Sequence, residues 1–258
     1  MSSAALTAVG TGGRFQLTLL RRIPQQLIAL VAAPVTALVL VAIVDSAGRR
    51  DLSTAAIIAP GLMTMWTMTL FSAGEALEVE RQAGTLEPLL ATPAPLFGLV
   101  LSRVLVTSGV GALGFVECWL VGWALVGTPA VPDRPAYFAL GLLLTLLAMA
   151  SWGSVLAPLY LLARSARTFQ NSLSFPLFLL GGVLVPIDLY PEWAQPVCRL
   201  VFLTWSAEVL RDGAGVRPAS AWAVPLLIVT GAAGLVVGAW LTNRLVTVGR
   251  REGRLGHA

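Results

Sequence analysis

Acidic residues and leucines are concentrated in one short stretch of the chain, residues 74–97. Its carboxylates are Glu75, Glu78, Glu80 and Glu87. Leu86, Leu89 and Leu90 recur at the i, i+3, i+4 spacing of one helix face. Leucines at the tip of a charged segment need a cover, and a partner protein is the natural one. The stretch therefore predicts a docking surface, with a solvated acidic loop as the alternative.

The order of residues in this stretch predicts two short helices with a break between them. Good helix formers run from Glu75 to Ala83, and Gly84 can adopt the left-handed conformation that ends a helix. Thr85 can cap the second helix, and Glu87 suits the positive N-terminus of that helix. Two later prolines stop it.

Polar groups also occur inside apolar stretches. Glu117 lies deep in one of them, where a charge costs about 2.5–3.5 kcal/mol. It could bind a cationic substrate, take part in proton coupling or pair with a partner subunit, and it could also sit neutral or reach water near the outer surface. A second group is Gln170, Asn171, Ser172 and Ser174. Such groups avoid lipid and face either neighbouring helices or a water-filled path.

The residue types exclude several kinds of chemistry. All 17 basic residues are arginine, so the chain has neither the lysine of an ATP-binding Walker A loop nor a Schiff-base lysine. We expect no metal site, catalytic triad or enzyme activity. No disulfide is expected between Cys118, which lies in an apolar run, and the distant Cys198. The arginines sit at the ends of apolar segments, which indicates membrane orientation rather than nucleic-acid binding.

The composition predicts an all-α membrane protein. Of 258 residues, 57% are hydrophobic and 12% charged, against about 45–50% and about 25% in soluble domains, and the mean hydropathy is +0.82. Six segments could cross about 30 Å of hydrocarbon. They are Ile23–Val44, Ala55–Ala73, Leu99–Val126, Tyr137–Leu162, Thr168–Ile187 and Ala223–Val246. We expect a single transmembrane domain, residues 1–258, with six transmembrane helices.

The charge distribution predicts how the chain is oriented. Eleven arginines flank one side of the spans and six flank the other, where acids balance them. The richer side should face the cytoplasm, which places both termini and residues 74–97 there.

Two further segments are expected to lie at the membrane surfaces. Residues 10–23 place Phe15, Leu19 and Ile23 on one face, as in an interfacial helix. Residues 188–222 are apolar and broken by prolines, which predicts outer re-entrant helices before the last span.

Two motifs carry a family resemblance. Residues 78–93 read Glu-x-Glu-Arg-x-x-Gly-Thr-Leu-Glu-x-Leu-Leu-x-Thr-Pro, which resembles the signature of type-2 ATP-binding-cassette (ABC) exporter permeases. Residues 167–193, which begin Arg-Thr-Phe-Gln-Asn-Ser-Leu and end Pro-Glu-Trp, resemble the fifth span and outer turn of the daunorubicin-resistance branch. The proline turn that often follows in that branch is absent from residues 202–211.

The resemblance implies a dimer of two six-span halves in a bacterial-type plasma membrane. Each half docks on a separate ABC ATPase subunit that binds ATP and magnesium, so this chain itself binds no cofactor. Residues 74–97 would supply the coupling helix that transmits the motion of the ATPase. The coupling residues by this resemblance are Glu78, Glu80, Arg81, Gly84, Thr85, Leu86, Glu87 and Leu90.

The resemblance also implies that the second and fifth spans line the transport path. The residues that could touch cargo there are Met63, Trp66, Thr67 and Phe178, joined by the polar Asn171 and Glu117. Plain helix packing is the alternative for them. The cargo would be hydrophobic or amphipathic, such as a drug, a lipid or a glycoconjugate, as in antibiotic or multidrug resistance.

Other classes of function stay open at this point. An ATP-independent carrier or channel would transport alone and leave the acidic segment without a purpose. An intramembrane enzyme or a membrane scaffold is a further class, and no nucleophile–base pair or metal motif supports the enzyme. The sequence does not reveal the cargo or whether the two halves are identical.

Overall fold

The computed structural model describes residues 3–22, 28–49, 52–85, 96–127, 131–162 and 166–252, and the regular structure in these ranges is entirely helical. The α-helices are α1 (Ser3–Arg22), α2 (Ile28–Ser46), α3 (Ser53–Gln82), α4 (Leu96–Gly111), α5 (Leu113–Val126), α6 (Pro135–Leu162), α7 (Ala166–Leu180), α8 (Gln195–Leu200), α9 (Phe202–Gly213) and α10 (Ala223–Glu252). A short 3-10 helix, Ile187–Leu189, lies between α7 and α8. The all-α prediction is therefore confirmed for the described residues.

Five stretches of described helix are long and apolar enough to cross a membrane: α2, α3, α4 together with α5, α6, and α10. They correspond to five of the six predicted spans. The remaining prediction, Thr168–Ile187, overlaps the 15-residue helix α7, which begins two residues earlier. At 1.5 Å per residue α7 is about 22 Å long, which is shorter than the hydrocarbon core of about 30 Å. The six-span count therefore stays a prediction.

Helix α3 is the central element of the bundle, and α2, α4, α5, α6 and α7 all contact it. Its 30 residues extend over about 45 Å, roughly 15 Å more than the hydrocarbon core. The predicted second span, Ala55–Ala73, and the predicted helix Glu75–Ala83 are therefore one continuous helix. We call the end of the bundle where α3 finishes the Glu80 end. The opposite end, where α3 begins, is the Asp188 end.

The predicted third span is divided at Ala112 into α4 and α5. Gly111 lies against the backbone of α3, because a Cβ at this position would come within 2.9 Å of the Met65 Cα. A small residue thus allows the two helices to approach closely. The Ala112 N–H still donates to the Ser108 carbonyl over 3.0 Å, so the helical path continues through the break.

Helix α1 packs along α4. Gly12 lies so close to Ser102 that a Cβ there would collide with the serine hydroxyl. Gln16 and Leu20 are buried on this side, whereas Phe15 is half exposed. The side that contacts the bundle therefore differs from the predicted apolar face. The location of α1 at a membrane surface stays a prediction.

The segment between α7 and α10 covers the Asp188 end. The last carbonyls of a helix lack partners within the helix, and this segment supplies donors for the end of α7 and for the turn that follows it. The Tyr190 hydroxyl donates to the Leu179 carbonyl over 3.0 Å, and the Arg211 guanidinium donates to the Val183 carbonyl over 2.7 Å. Burial raises the pKa of Tyr190 above its ordinary value, which keeps this donor protonated. The depth of α8 and α9 in the membrane stays a prediction.

Candidate functional site

A cavity of about 300 Å³ opens between α2, α3 and α7, and we call it the α2–α3–α7 cavity. The lining residues are Ala29, Ala32, Thr36, Pro60, Met63, Thr64, Thr67, Asn171, Ser174, Phe175 and Phe178. Most of this wall is apolar, and hydroxyl groups and one amide interrupt it. An apolar wall with a few polar groups is typical of sites that bind small molecules.

The cavity brings together four of the six residues predicted to touch cargo: Met63, Thr67, Asn171 and Phe178. Trp66 does not join them. It is 1% exposed, and its ring lies 5.2 Å from that of Phe202 in the core. Glu117 lies on α5, outside this cavity, and one of its carboxylate oxygens is buried without a hydrogen-bond partner among the described residues.

Local sequence features shape the walls of this cavity. Pro60 lies inside α3 and Pro176 inside α7. Proline has no N–H, so each one leaves a carbonyl of the preceding turn without its helical donor and allows the helix to bend. Gly74 lets α7 approach α3, because the Gln170 amide occupies the space that a Cβ at residue 74 would need. Gly74 thus brings α7 into contact with α3, and the two prolines allow the helices to bend apart around the cavity.

At the Glu80 end, α3 finishes where the sequence predicts. Gly84 has a φ of +68°, in the left-handed region. Its N–H donates to the Arg81 carbonyl over 3.1 Å, and the Thr85 N–H donates to the Glu80 carbonyl over 3.0 Å. This pair of bonds is the Schellman motif, which satisfies the last carbonyls of a helix. The prediction that Gly84 ends the helix is confirmed.

The predicted coupling residues on α3 divide into two sets. Glu78 and Arg81 pair with each other over 2.9 Å on the surface, with side chains 22% and 30% exposed. Glu80 instead bonds inward, and one of its carboxylate oxygens accepts the Thr85 hydroxyl over 2.6 Å. Thr85 therefore turns back onto α3. The other predicted coupling residues, Leu86, Glu87 and Leu90, lie outside the described residues.

Arg103 on α4 is the buried basic group that receives Glu80, and its side chain is 1% exposed. Its Nη1 lies 3.3 Å from the Glu80 Oε1 and donates to the Ala76 carbonyl over 2.8 Å. Its Nε donates to the Gln16 side chain over 3.2 Å. Its guanidinium carbon lies 4.9 Å from the Phe15 ring centroid. One arginine thus connects α1, α3 and α4 beneath the protruding end of α3.

From the sequence, Arg103 is only one of the eleven arginines that orient the chain. The signal that could identify it is its position, four residues inside the predicted span Leu99–Val126. A charged residue within a span normally has a specific partner, since its desolvation would otherwise be costly. The sequence does not say which acid pairs with it, because the Glu80 that it contacts is 23 residues away.

Together these features define a multi-pass helical membrane protein whose central helix carries a cavity wall and is long enough to extend past the hydrocarbon core. The chain belongs to the ABC-2 type transporter family, which matches residues 8–214. No curated protein matches the chain. The family domain is the permease part of ABC transporters, which has no ATPase site of its own. The chain is therefore the membrane-embedded permease component of an ABC-type transporter, and its partner is an ABC ATPase.

Proposed function

We propose that this chain is one half of an ATP-driven exporter in a bacterial-type plasma membrane. Two halves, identical or different, form the transport unit, and each docks on one ATPase subunit that carries ATP and magnesium. The Glu80 end and both termini face the cytoplasm. A hydrophobic or amphipathic cargo enters from the cytoplasm or the inner leaflet and leaves at the Asp188 end.

The observation that carries this proposal is the continuity of α3. The same helix provides Met63 and Thr67 to the α2–α3–α7 cavity and Glu80 to the protruding end. Thr67 and Glu80 are 13 residues apart, which corresponds to about 20 Å along the helix axis. A helix resists bending and stretching far more than a loop does. A push on the protruding end is therefore transmitted to the cavity wall without an intervening hinge.

The division of the coupling residues supports the same mechanism. Glu78 and Arg81 lie on the surface of the protruding end, where an ATPase can contact them. Glu80 and Thr85 bond to each other, and Glu80 also bonds to the buried Arg103. The surface pair then serves docking. The inward set connects the end of α3 to α4.

The wall of the α2–α3–α7 cavity fits an uncharged cargo surface, since none of the described residues that line it carries a charge. Its volume of about 300 Å³ is at the lower end of the range for ligand sites, about 300–1,000 Å³. The cavity of one half is therefore suited to part of a cargo molecule. A second half that faces it would complete the site.

The proposal is tested by capturing the tagged chain from its native membrane and measuring how much ABC ATPase purifies with it. We expect the wild-type chain to retain the ATPase and the Leu86→Asp/Leu90→Asp variant to lose it, because two leucines that we propose the ATPase covers would become charged. Membrane insertion should be unchanged. The matched control is Leu189→Asp/Leu200→Asp, which changes two leucines that are 74% and 76% exposed at the Asp188 end. Equal ATPase recovery with the first variant and the wild type would refute the coupling assignment.

A further inference from the structure

A second and larger cavity, of about 1310 Å³, lies at the Asp188 end, and we call it the outer cavity. It lies between the last turns of α2, the first turns of α3 and the segment from Gly182 to Leu226. Its volume exceeds the range of about 300–1,000 Å³ that is typical of sites for drug-sized ligands. The α2–α3–α7 cavity does not share any lining residue with it.

The inner part of the outer cavity is apolar. Leu40 and Val44 of α2 and Ala55 and Ala59 of α3 line it. Ala59 lies six residues after Ser53, where α3 begins, so the cavity reaches about 9 Å along the helix at 1.5 Å per residue. Both helices are candidate membrane spans. This part of the cavity is therefore placed to hold a hydrocarbon chain rather than a polar solute.

The mouth of the outer cavity is rich in arginine. Its charged lining residues are Arg49, Arg199, Arg211, Arg217, Asp188 and Glu208. Four positive and two negative groups leave a net charge of +2. The predicted outer loops as a whole contain seven acids and six arginines, so the tertiary structure concentrates the positive charge here. The cavity thus combines an apolar interior with a cationic mouth.

The two acids at the mouth, Asp188 and Glu208, already have partners within the chain. Asp188 pairs with Arg217, and the Glu208 carboxylate accepts the Ser220 N–H over 2.6 Å. Arg211 donates to the Val183 carbonyl. Arg199 is exposed and has no acidic partner among the described residues. An anionic group at the mouth would therefore meet Arg199 without displacing an existing ion pair.

Backbone contacts hold the wall that carries Arg199. The Trp205 indole N–H donates to the Arg199 carbonyl over 3.0 Å, and the Thr204 hydroxyl donates to the Cys198 carbonyl over 2.6 Å. Trp222, 70% exposed, also lines the cavity. Tryptophan is enriched at the level of lipid headgroups. Hydrogen bonds therefore hold the wall of the mouth in place, and its exposed tryptophan favours a position at the level of the headgroups.

We propose that the outer cavity binds a phospholipid with a negatively charged headgroup, which lies against Arg199 and Arg49 while an acyl chain enters between α2 and α3. The charge also argues against a second copy of the chain as the occupant. In a two-fold interface the same surface meets itself, so two mouths of charge +2 would face each other, which is unfavourable. This proposal does not depend on the direction of transport or on the cargo.

The test uses the purified full chain in detergent micelles that contain equal amounts of phosphatidylglycerol and phosphatidylcholine. Native mass spectrometry counts the lipids that each chain retains. We expect wild-type protein to retain phosphatidylglycerol selectively. Arg199→Gln should weaken that retention about fivefold and Arg49→Gln/Arg199→Gln roughly 30-fold. The two factors multiply because each arginine near an anionic headgroup contributes a similar binding free energy.

Two further variants make the test specific. Arg134→Gln removes an arginine of the same loops that pairs with Asp212 and does not line the cavity, and it should leave retention unchanged. Ala55→Phe keeps the charge but narrows the apolar interior, and it should reduce retention. Equal retention of both lipids, or an equal loss with Arg134→Gln and Arg199→Gln, would overturn the proposal. Wild-type protein that retains no phosphatidylglycerol, as a monomer or as a dimer, would also overturn it.

Discussion

Replacing Arg103 by methionine should destabilise the bundle far more than the same change at Arg81. Both arginines pair with a glutamate of α3, so the chemical change is the same. Arg103 is 1% exposed and lies 3.3 Å from Glu80, whereas Arg81 is 30% exposed and lies 2.9 Å from Glu78. Burial, and not the length of the ion pair, therefore distinguishes the two sites.

The expected magnitude follows from the contacts of Arg103. Methionine would fill a similar volume but would leave the Ala76 carbonyl, the Gln16 amide oxygen and the Glu80 carboxylate without their shared donor. Removing one partner of a buried pair costs about 3–5 kcal/mol. Glu80 is still 21% exposed and can recruit water, so we expect the lower value, about 3 kcal/mol. The Arg81 pair, which is partly exposed, should contribute about 0.2–1 kcal/mol.

The measurement is equilibrium unfolding of the purified chain, with sodium dodecyl sulfate titrated into mild-detergent micelles and helix content followed by circular dichroism. Arg103→Met, Glu80→Gln and the double variant form one cycle, and Arg81→Met, Glu78→Gln and their double variant form the control cycle. Because Arg103 and Glu80 share one contact, the first cycle should be non-additive by about 2 kcal/mol. The control cycle should be additive within about 0.5 kcal/mol.

Two results would contradict this reasoning. If Arg103→Met unfolds within about 0.5 kcal/mol of Arg81→Met, burial of the guanidinium does not determine its contribution. If the Arg103 and Glu80 substitutions are additive, the two groups do not interact, and Glu80 cannot connect the protruding end of α3 to α4. Either outcome would remove the inward half of the proposed coupling mechanism while leaving the membership in the permease family intact.

Two more expectations concern the packing and the cavity. Gly111→Ala would place a Cβ 2.9 Å from the Met65 Cα and should cost about 1–3 kcal/mol in the same titration. Gly109→Ala meets only a side-chain carbon at 3.7 Å and should cost nothing, so an equal loss at both glycines would count against the close approach of α4 to α3. Thr67→Cys should react with a water-soluble maleimide, and Met65→Cys, at a position 0% exposed, should not. The native cysteines are buried and free, which keeps the background low, and an unreactive Thr67→Cys would show that the α2–α3–α7 cavity is closed.

Much of this architecture can be predicted from short-range features of the sequence. Runs of apolar residues long enough to cross hydrocarbon identify all five described stretches of helix that could span a membrane, because burial of the backbone in lipid requires continuous helix. The end of α3 at Gly84 is also determined by local sequence, since glycine adopts the left-handed conformation with little steric cost. The boundary between the second span and the acidic helix was not predictable. No residue between Ala73 and Glu75 forces a break, and α3 continues through both.

The candidate site, too, is predictable from the sequence in one part and set by the tertiary structure in another. The α2–α3–α7 cavity contains Met63, Thr67, Asn171 and Phe178, which the sequence points to because they lie on the two spans that the family resemblance implicates. Trp66 is one position away from Thr67 but faces Phe202 in the core. Neighbouring positions of a helix point about 100° apart, so the side that faces a cavity depends on how the helix is rotated in the bundle.

The sequence by itself determines that this chain is a membrane protein, that it is helical, and that an acidic segment extends from one end of its second apolar helix. Those properties depend on composition and on contacts within a few residues. Only the tertiary structure decides that Arg103 neutralises Glu80, that Trp66 is core, and that four arginines gather at one cavity mouth. These relations join residues far apart in the chain, and they arise because burying a charge or a ring requires a partner from another helix.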